Sequence, residues 1–311
     1  MKWIVPDIYP DFVCIADLCR HSCCVGWEID IDPVTLARYR TVKGALGHRL
    51  KAGVEEDKDG AHFRLDSAER CPFLNERNLC DLILAGAPLC QICTDHPRFR
   101  NFFADRTEIG LGLCCEAAAR LTLQKTEPMR LVVLRDDGAD DKPDEEEQRL
   151  LALRAEDIAL LQCRSMPLSQ RMDAMLARRG TALSRRTLSQ WAAVYLSLER
   201  LDEAWTERLE ALTKEKDRSA LPESALDTPL EQLAVYLLYR HLPGALEDGD
   251  YGGRLAFAAL SVQLLRGLLA AKRAESTLDD LVELARLYSS EIEYSDENLA
   301  ALLDALHEQT T

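Results

Sequence analysis

For thirty residues from Ser184 the chain meets no Gly or Pro, and Leu188, Trp191, Tyr195, Leu198, Trp205, Leu209 and Leu212 recur at spacings of three and four. That period predicts one long amphipathic helix with an apolar stripe on one side. Asp202 falls in the seam between Leu198 and Trp205 and is expected at the edge of a curved apolar face. Further helices are expected from Thr228, which caps ahead of Pro229, from near Gly253, from Thr277 and from Ser295. Together they predict a C-terminal helical bundle, in which the Trp and Tyr of the stripe are core residues rather than a cofactor box. No fixed-period repeat runs through these helices, so a solenoid is not expected.

Ahead of Lys125 the pattern is different. Short segments are broken by Gly, Pro and Cys, and only HFRL and RTEIGLGL alternate as strands do. Beyond it, the β-prone run RLVVL at Arg130–Leu134 leads into DDGADDKPDEEEQ, whose charge and Pro143 mark a linker or an exposed helix start. The expected fold is mainly α: an irregular cysteine-rich N-terminal region with short strands over residues 1–125, then a helical domain over 126–311.

Composition narrows the class. With 311 residues, 47% of them hydrophobic and 29% charged, the chain has apolar material for two globular domains. Aromatic residues are few, so much of the core must be Leu and Ala, which suits helices. In MKWIVPDIYPDF, Pro6, Asp7 and Pro10 interrupt anything like the apolar region of a signal peptide. The run from Leu255 to Ala271 carries Gln263 and Arg266 and is read as too short to cross a bilayer. A cytoplasmic location without membrane attachment is therefore expected, and there thiols stay reduced. The net charge of −15 argues against nucleic acid as a partner, since phosphate binding needs clustered Lys and Arg. That charge is uneven, −2 over residues 1–125 and −13 beyond, and reads as a solvated acidic surface on the second half.

Cysteines carry the chemistry. Ten of the eleven lie in the first 115 residues: Cys14, Cys19, Cys23 and Cys24, then Cys71, Cys80, Cys90 and Cys93, then Cys114 and Cys115. Small buried hydrophobes need no such crowding, whereas thiolate ligands must converge, and Cys19-x3-Cys23-Cys24 and Cys90-x2-Cys93 have the short spacings that fold back on a metal. Adjacent cysteines point differently, so one of each pair is expected to ligate. Lone Cys163 reads as a spectator. Zinc and iron–sulfur both suit an all-thiolate site, and the number of thiols favours a four-iron cluster.

Four blocks then carry a resemblance: YPDFVCIADLCRHSCCVGWEIDIDPVTLARY, CPFLNERNLCDLI, LCQICTDHPRF and LGLCCEAAARL, in order across residues 9–121. The chain resembles the flagellin lysine-N-methylase family, itself related to cysteine-rich zinc- or iron-chelating modules. Its cysteine pair followed by Gly-Trp stands here as Cys23, Cys24, Gly26 and Trp27, with Asp32, Thr35 and Tyr39 after it. The block of Cys71, Pro72, Phe73 and Leu74 has its partner in Cys80, and another block reads Cys93, Asp95, His96, Pro97 and Arg98. His96 replaces the family's Tyr, and Cys115 stands where Pro usually follows Cys114.

The resemblance implies methyl transfer from S-adenosylmethionine to a lysine side chain of flagellin, the protein partner. It implies metal ligands among Cys14, Cys19, Cys23, Cys24, Cys71, Cys80, Cys93 and Cys114, and a donor pocket involving Gly26 and Arg98. Aromatic and acidic residues near the first cysteine group, Trp27, Glu28, Asp30, Asp32 and Tyr39, are candidates to position the amine. The nearest glycine-rich donor turn, Glu108-Ile-Gly110-Leu-Gly112-Leu-Cys114, lacks a third glycine and reads as a turn before a cysteine ligand. Radical chemistry is not expected, because Gly26 stands where Cys19-x3-Cys23 would need its third thiol. The competing reading is a non-catalytic metal-binding or interaction module.

Overall fold

The computed structural model describes residues 1–58, 60–139, 141–183, 185–214, 226–271 and 276–307. Its strands are β1 (Lys2–Pro6), β2 (Val54–Glu56), β3 (Ala61–Phe63), β4 (Arg98–Phe102), β5 (Arg106–Leu111) and β6 (Leu131–Asp136). Its helices are α1 (Pro33–Tyr39), α2 (Gly44–Gly53), α3 (Asp81–Leu84), α4 (Gln91–Asp95), α5 (Glu116–Leu123), α6 (Glu145–Leu161), α7 (Leu168–Arg178), α8 (Leu188–Ser197), α9 (Glu203–Lys214), α10 (Asp227–His241), α11 (Ala245–Asp248), α12 (Tyr251–Ala271), α13 (Leu278–Tyr288) and α14 (Asp296–His307). Mainly helical, with short strands concentrated in the N-terminal part, this is the fold class expected.

Two compact units are present, and they are not consecutive in sequence: Val13–Phe99 with Cys115–Ala117 forms one, and Met1–Phe12, Arg100–Cys114 and Ala118–Thr311 form the other. The cysteine-rich unit is thus an insertion. The division expected after Lys125 isolates the same cysteine-rich stretch but counts β1 and β5 with it.

In the larger unit a sheet of order β4-β5-β1-β6 has β1 parallel to β5 and antiparallel to β6. HFRL and RTEIGLGL appear as the shorter β3 and β5, and RLVVL as β6; β1, interrupted in sequence by no alternating pattern, was not foreseen. Asp144 caps α6 by accepting from the Glu147 amide, so the acidic segment ends as a helix start. Thr277 caps α13 in a capping box with Asp280, as its position suggested.

The single helix from Ser184 is corrected by the structure. Ser184 lies outside the described residues, and the stripe is carried by two helices, α8 and α9, with an extended break at Leu198. At that break the buried Glu291 carboxylate accepts from the Leu201 amide at 2.9 Å and the Asp202 amide at 2.6 Å. Asp202 is neither a buried seam contact nor a face edge: its carboxylate accepts from the Ala204 amide and caps α9. The stripe still does what its period required, because Trp191, Tyr195, Trp205, Leu209 and Leu212 are all buried, and Trp205 and Tyr195 pack edge-on with Tyr288 alongside.

α12 runs through the middle of this bundle. By length and composition it is long and apolar enough to cross a bilayer, and it is largely buried inside the protein. Charges are buried here too, in pairs: Arg154 grips Glu108 at 2.8 and 2.6 Å, Arg164 and Arg171 share Glu231, and Arg179 holds Asp157. Glu108 therefore serves an ion pair inside the sheet rather than a donor-binding turn.

Candidate functional site

The cysteine-rich unit is built around a small apolar core of Ile29, Ile31, Tyr39, Leu50, Phe63, Phe73 and Leu82, in which Cys71 and Cys90 are themselves buried. Isolated bridges stitch its irregular backbone: Val25 pairs with Arg70, Asp30 with His62, and Leu74 with Cys80. The first of these sets Cys24 beside Cys71, whose amide donates to the Cys24 carbonyl at 2.9 Å. The last turns the chain so that Cys80 returns towards Cys71 after a loop of eight residues.

Cys24 is the centre on which the sulfurs draw. Its thiol accepts from Cys23 and lies within electrostatic reach of Cys71, Cys80 and Cys93, while Cys14 and Cys115 bear on Cys23. The hydrogen bond from Cys23 brings the Cys24 thiol down to about 7, against burial, which opposes ionisation, and with help from Ser22 and Arg70. Cys23, which gives that bond, is pushed far above the usual thiol range although its residue is exposed. The second pair repeats the arrangement: Cys90 is lowered by the hydrogen bond from Cys93, and Cys93 is raised by the same bond and by burial. Burial pushes Cys71 up to about 12 and raises Cys80. In each pair the sulfur that receives the hydrogen bond is drawn towards thiolate, the form that ligates and reacts.

Among the described residues no group of three or more His, Cys, Asp or Glu side chains is arranged to hold a metal ion. The chemistry of the donor set nevertheless suits one: soft thiols from separate stretches, in an irregular unit with a small core, two of them drawn towards thiolate. Of the ligands expected from sequence, Cys23, Cys24, Cys71, Cys80 and Cys93 belong to this converging set and Cys14 lies at its edge beside Cys23. Cys19 donates to the His21 carbonyl at 3.1 Å. Cys114 stands in the other unit, beside the Tyr294 hydroxyl, and Cys115 is the member of that pair near Cys23. Cys90 was left out of the expected set, although its Cys-x2-Cys spacing to Cys93 signalled it.

The residues proposed to position an amine are dispersed in role. Both carboxylate oxygens of Asp32 serve as helix caps, one accepting from the Thr35 amide of α1 and one from the Gln91 amide of α4, each at 2.9 Å. Those amides hold its carboxyl below the usual range. Tyr39 is buried, with its hydroxyl 3.4 Å from Cys90 Sγ and its ring stacked on Phe63. Trp27 donates from its indole to the Cys23 carbonyl at 2.7 Å and lies 6.1 Å, centroid to centroid, from His96. His96 is half-buried, and this desolvation brings it down to about 4, with the Arg98 charge adding to the effect, so the imidazole is neutral at physiological pH. Arg98 donates to the Thr94 carbonyl. Gly26, at φ +87, holds a left-handed turn in which its amide donates to the Glu69 carbonyl. Asp30 and Glu28 are exposed.

This geometry defines a thiol-centred unit joined to a helical bundle that hides its charges in pairs. Comparison with known proteins adds a similarity at the opposite end of the chain: residues 181–311 match the FliB lysine N-methylase C-terminal domain. Proteins named lysine-N-methylase from Salmonella choleraesuis and Salmonella typhimurium are each 27% identical over 134 residues, covering 40% of this chain and 33% of theirs. The flagellar biosynthetic protein FliU of Salmonella muenchen is 27% identical over 134 residues, covering 40% of this chain and 79% of its own. The match therefore spans about a third of the Salmonella methylases. These similarities agree with the resemblance that the N-terminal cysteine blocks carry. No solved structure matches it.

Proposed function

We propose that this protein transfers a methyl group from S-adenosylmethionine to lysine side chains of flagellin, and that its cysteine-rich unit holds an iron–sulfur cluster, with zinc the alternative. What supports the reading is that Cys71, Cys80 and Cys93 each feel the charge of Cys24, in a chain whose C-terminal part matches a lysine N-methylase domain. Cys24, Cys71, Cys80 and Cys93 would hold the inorganic group, with Cys14, Cys19 and Cys23 flanking it. Such a group supplies covalent cross-linking that an apolar core this small does not.

Methyl transfer is a direct displacement, so donor sulfur, methyl and lysine nitrogen must be aligned and the ammonium must first lose its proton. Tyr39 and Asp32 serve this indirectly, through the scaffold that their bonds to Cys90 and to two helix starts define. Trp27 and Asp30 remain the candidates for touching the amine.

The decisive experiment incubates anaerobically purified protein with flagellin and S-adenosylmethionine and maps methyl-lysine by mass spectrometry, with iron, sulfide and zinc measured on the same preparation. Methyl-lysine together with stoichiometric metal is the expected result. Metal without methylation would favour the non-catalytic module, and absence of both would overturn the reading.

A further inference from the structure

The donor-binding residues are unassigned, and one feature of the larger unit is more polar than packing requires. Between α13 and α14 the chain passes through a π-helical turn, Ser289–Glu293, a local expansion that recurs at functional sites. Buried Arg240 is clamped against it: the guanidinium donates to the Glu293 carbonyl at 3.0 Å and to the Tyr236 hydroxyl at 2.9 Å, and lies 3.4 Å from Glu293 Oε2. His241 bonds that same carboxylate oxygen at 2.8 Å, and the whole carboxylate is buried. Apolar residues of similar volume would hold such a core as well or better, so a network this costly calls for a purpose beyond stability.

What the network fixes is Tyr294. The Arg240 guanidinium lies 4.4 Å from its ring centroid, and a Cβ on Gly112 would collide with its hydroxyl, so only glycine admits the ring here. One face of Tyr294 is covered by a cation, yet the residue is 49% exposed. Gly112 directly follows the carboxyl end of β5, a strand parallel to β1, at the turn before α5. Crevices outside the carboxyl ends of parallel strands are where open α/β sheets bind ligands. The glycine pair that resembled a degenerate donor turn in the sequence thus opens onto an aromatic platform.

We propose that the open face of Tyr294 stacks the adenine of S-adenosylmethionine, with Arg240 as the positioning residue behind the ring; this rests on the methyltransferase reading above. A guanidinium draws π density to its own side, which makes the opposite face a poor seat for an ammonium and a good one for a flat, neutral heterocycle. The platform is therefore assigned to the donor's base and not to the acceptor lysine.

Titration calorimetry of the full chain with S-adenosylhomocysteine, which cannot react, tests this. Stacking on an aromatic residue predicts roughly tenfold weaker binding for Tyr294→Leu. Tyr294→Phe and Tyr294→Trp, which keep a π face, should bind within about twofold of the parent, and adenosine alone should show the same order of variants. Tyr294→Leu binding as tightly as the parent would overturn the platform while leaving the methyltransferase reading intact. Should Tyr294→Leu melt early, weakened binding by Tyr294→Trp at an unchanged melting temperature would overturn it equally. A parent chain that binds no S-adenosylhomocysteine would remove the donor itself, and the platform with it.

Discussion

A single thiol separates two kinds of cysteine in this chain. Cys24 is brought down to about 7 by its neighbour Cys23, whereas the thiol of exposed Cys163 lies 3.2 Å from the Ser165 hydroxyl. Cys24→Ser should therefore lower metal content and the melting temperature, and Cys163→Ser should change neither; elemental analysis and calorimetry on the two variants check this, and equal behaviour would refute the ligand assignment. His96 gives a pH dependence of stated sign. Its folded value of about 4 lies below the ordinary 6.5, so between these values the unfolded chain takes up a proton that the folded chain refuses. Stability is fully present above pH 6.5 and declines as pH falls towards 4, and His96→Phe should flatten that part of a denaturation-midpoint profile. Trading the family's Tyr for His was visible in the sequence, but whether the ring would titrate was decided by burial.

At the level of elements, the break between α8 and α9 shows how a clean helical period misleads. Nothing between Ser184 and Lys214 forbids a continuous helix, since Gly and Pro are absent and the stripe is regular. The competitor comes from about ninety residues away: Glu291 takes the Leu201 and Asp202 amides that a continuous helix would have bonded within itself. Truncating Glu291→Ala leaves two part-buried donors without this partner and should cost roughly 1–3 kcal/mol, with Glu291→Gln closer to half of that, measured by denaturant unfolding. Among local signals, Thr277 caps α13 as expected, whereas the helix expected to be capped by Thr228 begins at Asp227 and has no side-chain cap. Thr187 and Thr277 each form a capping box three residues long, so Thr277→Ala should cost about 1 kcal/mol by the same measurement.

For the molecule as a whole, the burial of charge in pairs is the property least readable from sequence. Arg154 and Glu108 are separated by 46 residues and are essentially inaccessible, in a sheet strand whose other residues suggested only alternation. Removing one partner, as in Arg154→Met, should destabilise by roughly 3–5 kcal/mol, and replacing both by Met and Leu should recover most of that loss. Calorimetric melting of the two single variants and the double variant supplies the test. The same long-range character explains why the inserted arrangement of the cysteine-rich unit was not legible: β1 reaches its partners β5 and β6 across more than a hundred residues, and no local period announces such a pairing.

The sequence by itself determined the helical bundle, its Leu-, Ala- and Trp-rich core, the helix start at Thr277, and the family resemblance, because each depends on spacings of a few residues or on motifs read in order. Only the tertiary structure decided which sulfurs face one another, that Cys115 rather than Cys114 lies near Cys23, that Asp32 caps two helices, and that Tyr294 stands over Arg240 at the end of β5. Those outcomes rest on contacts between distant segments, where hydrogen-bond partners and burial are set by the packing of the entire chain.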